Sequence, residues 1–427
     1  MNPLFQGLCV ALSCILASNQ AFASGCDAEI DQPVSELSDT APLTLTDVIA
    51  QVRTLSPAAL AAKLEARALN AEAEQAGRKL NPIISLEVEN FGGQGATQAF
   101  DQAETSLMLE QTFRLGDKRR LGQRAARARA ALQSAECLVM LREIELEAGL
   151  LFAELAGTIE LRDLAAENAE LTSQLADTVK RRLDAGAAAP PELSRAKTDA
   201  ALARAELANA EEQVIARRYE LAALWGDSDP RFANPQNLTL AEAPETPSSE
   251  HPRLIAANAE LSRRQAESDL SKTAALPNVT ISAGIRRFED TGDSALIAGV
   301  SVPLPVFDKG QDQARASQFR SDAAQLSHSA TEQQLLSEQR SAIASLKAAE
   351  SQLSILRDEA LPEAESAYDA ALRGYEIGRF DLTSTLNARS ALNNVRLSVI
   401  QAELTRNSYD LKLRSLVSAA PFDGGVQ

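Results

Sequence analysis

Histidine is nearly missing from these 427 residues, with two present, and the four cysteines build no Cys or His motif. The ligand spacings of zinc and other transition-metal sites are therefore absent. No GxGxxG or P-loop run stands at a strand-to-helix junction, which removes the common nucleotide-binding devices. His251 and His328 stand apart from any cysteine or carboxylate cluster, and His328 lies in a helical stretch where a solvated position suits it. Basic residues are in deficit, 42 Lys and Arg against 59 Asp and Glu for a net charge of −17, whereas a phosphate-binding face needs the opposite balance. These absences argue against a nucleic-acid partner, and no enzyme activity and no cofactor is expected. The acidic balance reads either as a solvated surface or as a lumen that favours cations.

Long apolar runs are also scarce. The only one, LFQGLCVALSCILA at residues 4–17, precedes AFA at 21–23, so residues 1–23 read as a secretory signal with a small-x-small cleavage site. Ala23-Ser24-Gly25-Cys26 loosely resembles a lipoprotein processing box without its leucine, a second reading of the same export. Cleavage leaves Cys26 and Cys137. Three fates stay open for them: a disulfide, a lipid on Cys26, or two independent thiols. After Ala23 no stretch reaches the ~18 to 20 apolar residues that a membrane-spanning helix needs.

What remains is rich in Ala, Leu, Glu, Arg and Gln, with glycine and proline confined to a few places, as in long helices and coiled coils. Behind an extension at 24–43, a helical pattern runs from about Thr44 to Lys79 and stops before Pro82. Ile84, Leu86 and Val88 then alternate with Ser85, Glu87 and Glu89, and after a loop Leu107, Leu109, Phe113 and Leu115 alternate with Ser106, Glu110, Thr112 and Arg114. This two-residue period predicts strands at about 82–90 and 105–115. LGDKR at 115–119 opens a proline-free helix to about Asp184, on which Leu141, Ile144, Ala148, Leu151 and Leu155 form a heptad-like stripe continued by Leu171, Leu175 and Val179. DAGAAAPP breaks it, and a returning helix closes near Trp225-Gly226.

Residues 227–252 are rich in proline and polar residues and read as a linker. The order then recurs. A helix from about Arg253 ends at Leu276-Pro277, strands follow at about 278–286 and 294–304, a helix runs to Pro362 and beyond, and a last helix ends near Leu416. RRLDAG at 181–186 returns as RGYEIG at 373–378. Gly186 and Gly378 stand 192 residues apart, as do Leu224 and Leu416, while Asp117 and Asp308 stand 191 apart. The chain thus reads as two copies of one unit, 44–226 and 253–418, followed by a tail at 419–427.

Each copy offers two strands of the length and alternation found in membrane β-strands. Four strands cannot close on themselves, and open edges in hydrocarbon cost several kcal/mol per unpaired backbone group, so the barrel must be shared between chains, two or three. Phe91, Phe113, Phe288 and Phe307 sit at or just past strand ends, where interfacial aromatics belong, although the usual Trp and Tyr girdle is missing. A soluble two-sheet cap on a coiled coil is the competing reading of the strands.

With these stretches in view, NPIISLEVENFGG, QTFRLGDKRR, ELAALWG, SVPLPVFDKGQ and RGYEIGRFDL, the chain resembles the TolC family of outer-membrane efflux channels over nearly its mature length. It is most similar to the outer-membrane component of cobalt-zinc-cadmium type systems. The resemblance implies a mainly α fold with a small transmembrane β part: a homotrimer whose 12-stranded β-barrel sits in outer-membrane lipid and continues as a long α-helical coiled-coil barrel in the periplasm. It implies a passive exit duct fed by an inner-membrane proton-driven pump through a periplasmic adaptor, carrying heavy-metal cations or, alternatively, drugs and other organic solutes. The helix turns would form the periplasmic mouth. There Gly186 and Gly378 would admit adaptor helix tips, Tyr375 would be a latch, and Arg182, Asp184, Arg373, Glu376, Arg379 and Asp381 would supply polar contacts. Family members often place acidic residues just past the second glycine. Here Ser384 and Asn387 stand there, leaving Glu192 as the acidic lining residue of the first copy. A coiled-coil adaptor and a structural coiled-coil protein are the rival classes, the first lacking its lipoyl-like segments here and the second leaving the alternating strands unexplained.

Overall fold

A computed structural model of the chain describes Cys26, Leu37, residues 39–236, Leu238 and residues 251–417. The signal reading, most of the extension, part of the linker and the C-terminal tail lie outside the described residues. Helix α1 (Leu45–Leu55) begins at a reciprocal cap in which the Thr44 hydroxyl accepts from the Asp47 N–H at 3.2 Å and Asp47 accepts from the Thr44 N–H at 3.1 Å. The single helix expected from Thr44 to Lys79 is two, because Pro57 disfavours helical geometry at Ser56 and restarts the chain as α2 (Pro57–Ala76).

Strands β1 (Ile83–Glu89) and β2 (Glu104–Arg114) lead into α3 (Lys118–Asp184), 67 residues long, and α4 (Pro190–Ala223). Next come α5 (Pro252–Ser271), β3 (Asn278–Phe288), β4 (Ser294–Ser301) and α6 (Gln311–Ile355). Strand β4 stops short of the expected 304 because Pro303 and Pro305 have no N–H to donate to a ladder. After α6 the helix widens into a π-turn at Leu356–Ala360 before α7 (Leu361–Glu376), and α8 (Leu382–Val417) closes the described chain. The proline explains the widening: Pro362 lacks an N–H and crowds the carbonyl four residues earlier, and the Leu361 N–H reaches back five residues to the Leu356 carbonyl.

The chain divides into two compact units, described separately. One holds Leu64–Glu136 and Ile255–Thr331, and with them an antiparallel sheet in the order β1-β2-β3-β4. Its register aligns side chains by type. Leu86, Leu107, Ile285 and Leu296 lie in one row across all four strands, and Ile84, Leu109, Ala283 and Ala298 in the next. These rows form one continuous apolar face, and it is open, with Leu296 86% exposed. The alternate face carries most of the charged side chains, interspersed with Ile83, Met108 and Ile297, and on it Arg286 bonds Ser106 at 2.9 Å and pairs with Glu104 at 2.9 Å and Glu89 at 3.3 Å. Among the described residues β1 and β4 each pair on one side only. Phe91, Phe113 and Phe307 are exposed, Phe288 is half-buried, and Phe91 stacks on Phe100 with ring centroids 5.6 Å apart.

The other unit holds Ser24–Lys63, Cys137–Leu254 and the chain from Glu332. Its larger core joins Val48, Ile49 and Val52 of α1, Ala148, Phe152 and Leu155 of α3, Leu221 of α4, Trp225, Phe232 and Leu411 of α8. Val48, Val52, Phe152, Leu155, Leu221 and Leu411 are at most 1% exposed, and burial at about 1.5–3 kcal/mol for each such side chain holds the helices that carry them together. Beside it the Glu145 carboxylate, itself buried, pairs with Arg53 and, at 3.3 Å, with Arg142. Cys26 and Cys137 are joined by a disulfide with their Cα atoms 6.2 Å apart.

Candidate functional site

Two helix turns in this second unit carry the chemistry. At the first, Gly186 takes φ +70° after α3, its N–H donates to the Leu183 carbonyl at 2.9 Å, and the Ala187 N–H donates to the Arg182 carbonyl at 2.7 Å. At the second, Gly378 takes φ +77°, its N–H donates to the Tyr375 carbonyl at 3.0 Å, and the Arg379 N–H donates to the Gly374 carbonyl at 2.8 Å. Both are Schellman endings with glycine in the left-handed position that a Cβ disfavours. Both glycines are exposed. A Cβ on Gly186 would meet nothing within 4 Å, and one on Gly378 only the Arg182 guanidinium, at 3.8 Å.

The helix starts that follow are capped by complementary halves of one device. At α4 the cap position is Ala189, which has no oxygen, and Glu192 three residues on accepts from the Ala189 N–H at 3.1 Å. At α8 the cap is Asp381, whose carboxylate accepts from the Ser384 N–H at 2.9 Å. The Ser384 bonds, with Arg195 assisting, hold the Asp381 carboxyl below its ordinary value. Glu192 and Ser384, singled out from sequence as lining positions, thus have a local duty in starting a helix.

Tyr375 lies between the turns and is 1% exposed, in a small core with Leu175, Val179, Ala196, Leu382 and Leu386. Arg182 crosses to it. Its guanidinium stands 4.6 Å above the Tyr375 ring, and its N–H groups donate to the carbonyls of Tyr375, Glu376 (3.2 Å) and Ala187 (3.3 Å). One side chain therefore ties off backbone from both turns. The Tyr375 hydroxyl finds no hydrogen bond of good geometry, yet Glu192 and Arg182 lie near enough to act on it. Burial pushes the phenol up, the Glu192 carboxylate adds to the rise, and Arg182 opposes it.

Arg182, Tyr375, Glu192 and Gly378 are thereby brought together. Asp184, Arg373, Glu376 and Arg379 are instead exposed, and their side chains make no hydrogen bond or ion pair among the described residues. Sequence reading missed Gly374: a Cβ there would fall 2.2 Å from the Phe380 ring, so ring and helix meet only because glycine is present. The signal lay inside RGYEIGRF, where both residues flank Tyr375 and Gly378. It also missed the ties higher on the helices, Arg389 to Asn168 at 3.0 Å and Arg396 to Glu167 at 2.6 Å and Glu365 at 2.9 Å. Among the described residues no group of His, Cys, Asp and Glu is arranged to hold a metal ion, and no helix is long and apolar enough to cross a membrane.

Comparison with known proteins follows the same lines. Residues 245–419 match the family model described as outer membrane efflux protein. The cobalt-zinc-cadmium resistance protein CzcC of Cupriavidus metallidurans is 28% identical over 404 residues, 93% of this chain and 95% of that protein. The nickel and cobalt resistance protein CnrC of the same organism is 29% identical over 287 residues, 65% of this chain and 68% of its own length. Among solved structures, the outer membrane protein VceC of Vibrio cholerae superposes with a TM-score of 0.73 at 22% identity, covering 87% of this chain and 95% of that one. The CmeC outer membrane channel of Campylobacter jejuni gives 0.76 at 14% identity, covering 94% and 92%. At such identities the structures establish the fold.

Proposed function

We propose that this chain is an outer membrane efflux channel and the exit duct of a tripartite system, passing heavy-metal cations delivered by an inner-membrane pump through a periplasmic adaptor. The observation that carries the reading is the sheet: one unbroken apolar face over four strands, with both edges unpaired among the described residues. In hydrocarbon such a sheet requires neighbours, and three copies give twelve strands around a polar lumen. The recurrence of two strands, long helix, turn and returning helix in each half supports a duplicated chain, with residues 44–226 and 253–418 as its copies.

Charge agrees with cationic cargo. The polar face of the sheet carries Glu87, Glu89, Glu104 and Glu110 against Arg114 and Arg286, a net negative lining that raises local cation concentration without binding tightly. The relatives' names point to cobalt, zinc, cadmium and nickel. Asp184, Arg373, Glu376 and Arg379 are the exposed polar groups that an adaptor would engage, with Gly186 and Gly378 allowing close approach between them.

Removing the protein from its host should sensitise cells to cobalt, zinc or cadmium ions while pump and adaptor stay in place. Sensitivity to organic antimicrobials with metal tolerance unchanged would reassign the cargo. Release of the protein from membranes by salt alone would remove the channel reading. Tight stoichiometric zinc binding to the purified protein would contradict a passive duct.

A further inference from the structure

We infer that Cys26 is one end of a covalent staple formed after export, and that the mature chain carries no lipid on this residue. The sequence gives Cys26 two incompatible fates, since a thioether to diacylglycerol and a disulfide both consume its one sulfur. The structure spends that sulfur on Cys137. Cys26 is 3% exposed and Cys137, on α3, is 1% exposed, and their Cα separation of 6.2 Å lies within the span a disulfide bridges. A lipidated sulfur must instead hand its acyl chains to a bilayer, which a side chain enclosed in protein cannot do.

The bond links residues 111 apart. Inside that loop lie α1, α2, β1, β2 and the start of α3, so the staple encloses the first pair of strands, while the chain beyond Cys137 contains no cysteine and its strands have no counterpart bond. Closing a loop of this size narrows the unfolded ensemble and favours the folded one. The chemistry balances as thiol–disulfide exchange: the two thiols give up two protons and two electrons to a dithiol oxidase of the exported compartment, whose own disulfide is reduced to two thiols. The protein therefore stands downstream of a disulfide-forming reaction.

The test uses the full-length protein, exported natively and purified from the membrane. Intact mass is measured after N-ethylmaleimide treatment in denaturant, which brings both buried sulfurs within the reagent's reach, with and without prior reduction. The expected result is no adduct before reduction, two after it, and no acyl mass. Two adducts without reduction, or a diacylglyceryl mass on Cys26, overturns the inference. A second readout compares Cys26→Ala, Cys137→Ala and the double variant by thermal melting of the assembled protein. A shared bond makes all three fall by the same amount, to where reductant brings the wild type. If Cys26→Ala alone shifts the melt and Cys137→Ala behaves as wild type, Cys26 acts through something other than Cys137. Neither measurement depends on transport, so their outcome leaves the efflux reading untouched.

Discussion

At the residue scale, Tyr375 separates two ways in which a turn can be held. Its ring is packed and overlain by Arg182, whereas its hydroxyl is buried without a well-formed hydrogen bond. In the proposed duct, a latch built on the ring would tolerate Tyr375→Phe, which removes a buried group that has lost its water. Tyr375→Ala, by contrast, should cost about 3–5 kcal/mol of local stability. The check is entry of an antibiotic too large for ordinary outer-membrane pores: unchanged in Tyr375→Phe, raised in Tyr375→Ala and in Arg182→Ala. The turn glycines need a matched pair of substitutions. Alanine at Gly186 or Gly378 pays about 1–2 kcal/mol for its left-handed conformation, and asparagine, though larger, pays less. Export lost in Gly378→Asn but kept in Gly378→Ala would therefore report docking rather than strain.

His251 is a residue whose role its sequence context concealed. It looked like the end of a polar linker, but it is 2% exposed and caps α5: Nδ1 accepts from the Arg253 N–H at 3.2 Å, which leaves Nε2–H to donate to the Ser415 carbonyl at 3.0 Å. The first contact requires the neutral ring, because a protonated Nδ1 cannot accept. Burial above all, with Arg142 and Arg253, holds the imidazole below its ordinary value, while the Ser415 carbonyl and Glu338 pull the other way. The unfolded chain then takes up a proton near pH ~6.5 that the folded chain refuses. The stabilisation is complete above that pH and is lost as pH falls from there through the depressed folded value. Melting temperature should drop on acidification more steeply in the wild type than in His251→Asn, which keeps a capping oxygen without titrating.

At the scale of elements, the sheet register makes a sharp contrast. A Cβ on Gly284 of β3 would fall 2.4 Å from the Leu107 carbonyl oxygen, in the backbone of β2, whereas one on Gly299 of β4 meets only the Ser282 hydroxyl, at 2.7 Å. A side-chain hydroxyl can rotate away and a paired strand cannot. Gly284→Val should therefore abolish heat-stable assembly on gels, while Gly299→Val leaves most of it. Much of this layer was legible beforehand, because alternation such as Ile84, Leu86, Val88 is set by the two-residue period of a strand, and Gly186 and Gly378 close long helical patterns at matching places in the two copies. What was hidden had local causes acting against a strong pattern. Ser56-Pro57 splits a helix whose apolar periodicity runs straight through it, the helix continues past Pro362 as expected but only by widening into a π-turn, and Pro303 ends β4 within an apolar run. The contacts of Arg182 and His251 were beyond reach for another reason: each depends on a partner brought close only by packing, Tyr375 and Ser415 lying far away in sequence.

For the whole molecule, the proposed duct sets one requirement for the apolar face and for the edges left unpaired among the described residues: β1 of each copy would find β4 of another within the membrane. A charge on the outward face should weigh heavily, with Leu107→Arg or Ile285→Arg costing about 2–4 kcal/mol if they lie near the bilayer midplane. The most direct test pairs single cysteines along β1 (83–89) with single cysteines along β4 (294–301), in a chain whose Cys26 and Cys137 are alanine, and oxidises native outer membranes. The expected result is covalent dimers and trimers, nothing larger, only when both strands carry a cysteine, at positions following an antiparallel ladder. Cross-links formed solely within one chain, or monomers at every pair of positions, would contradict a barrel shared between copies.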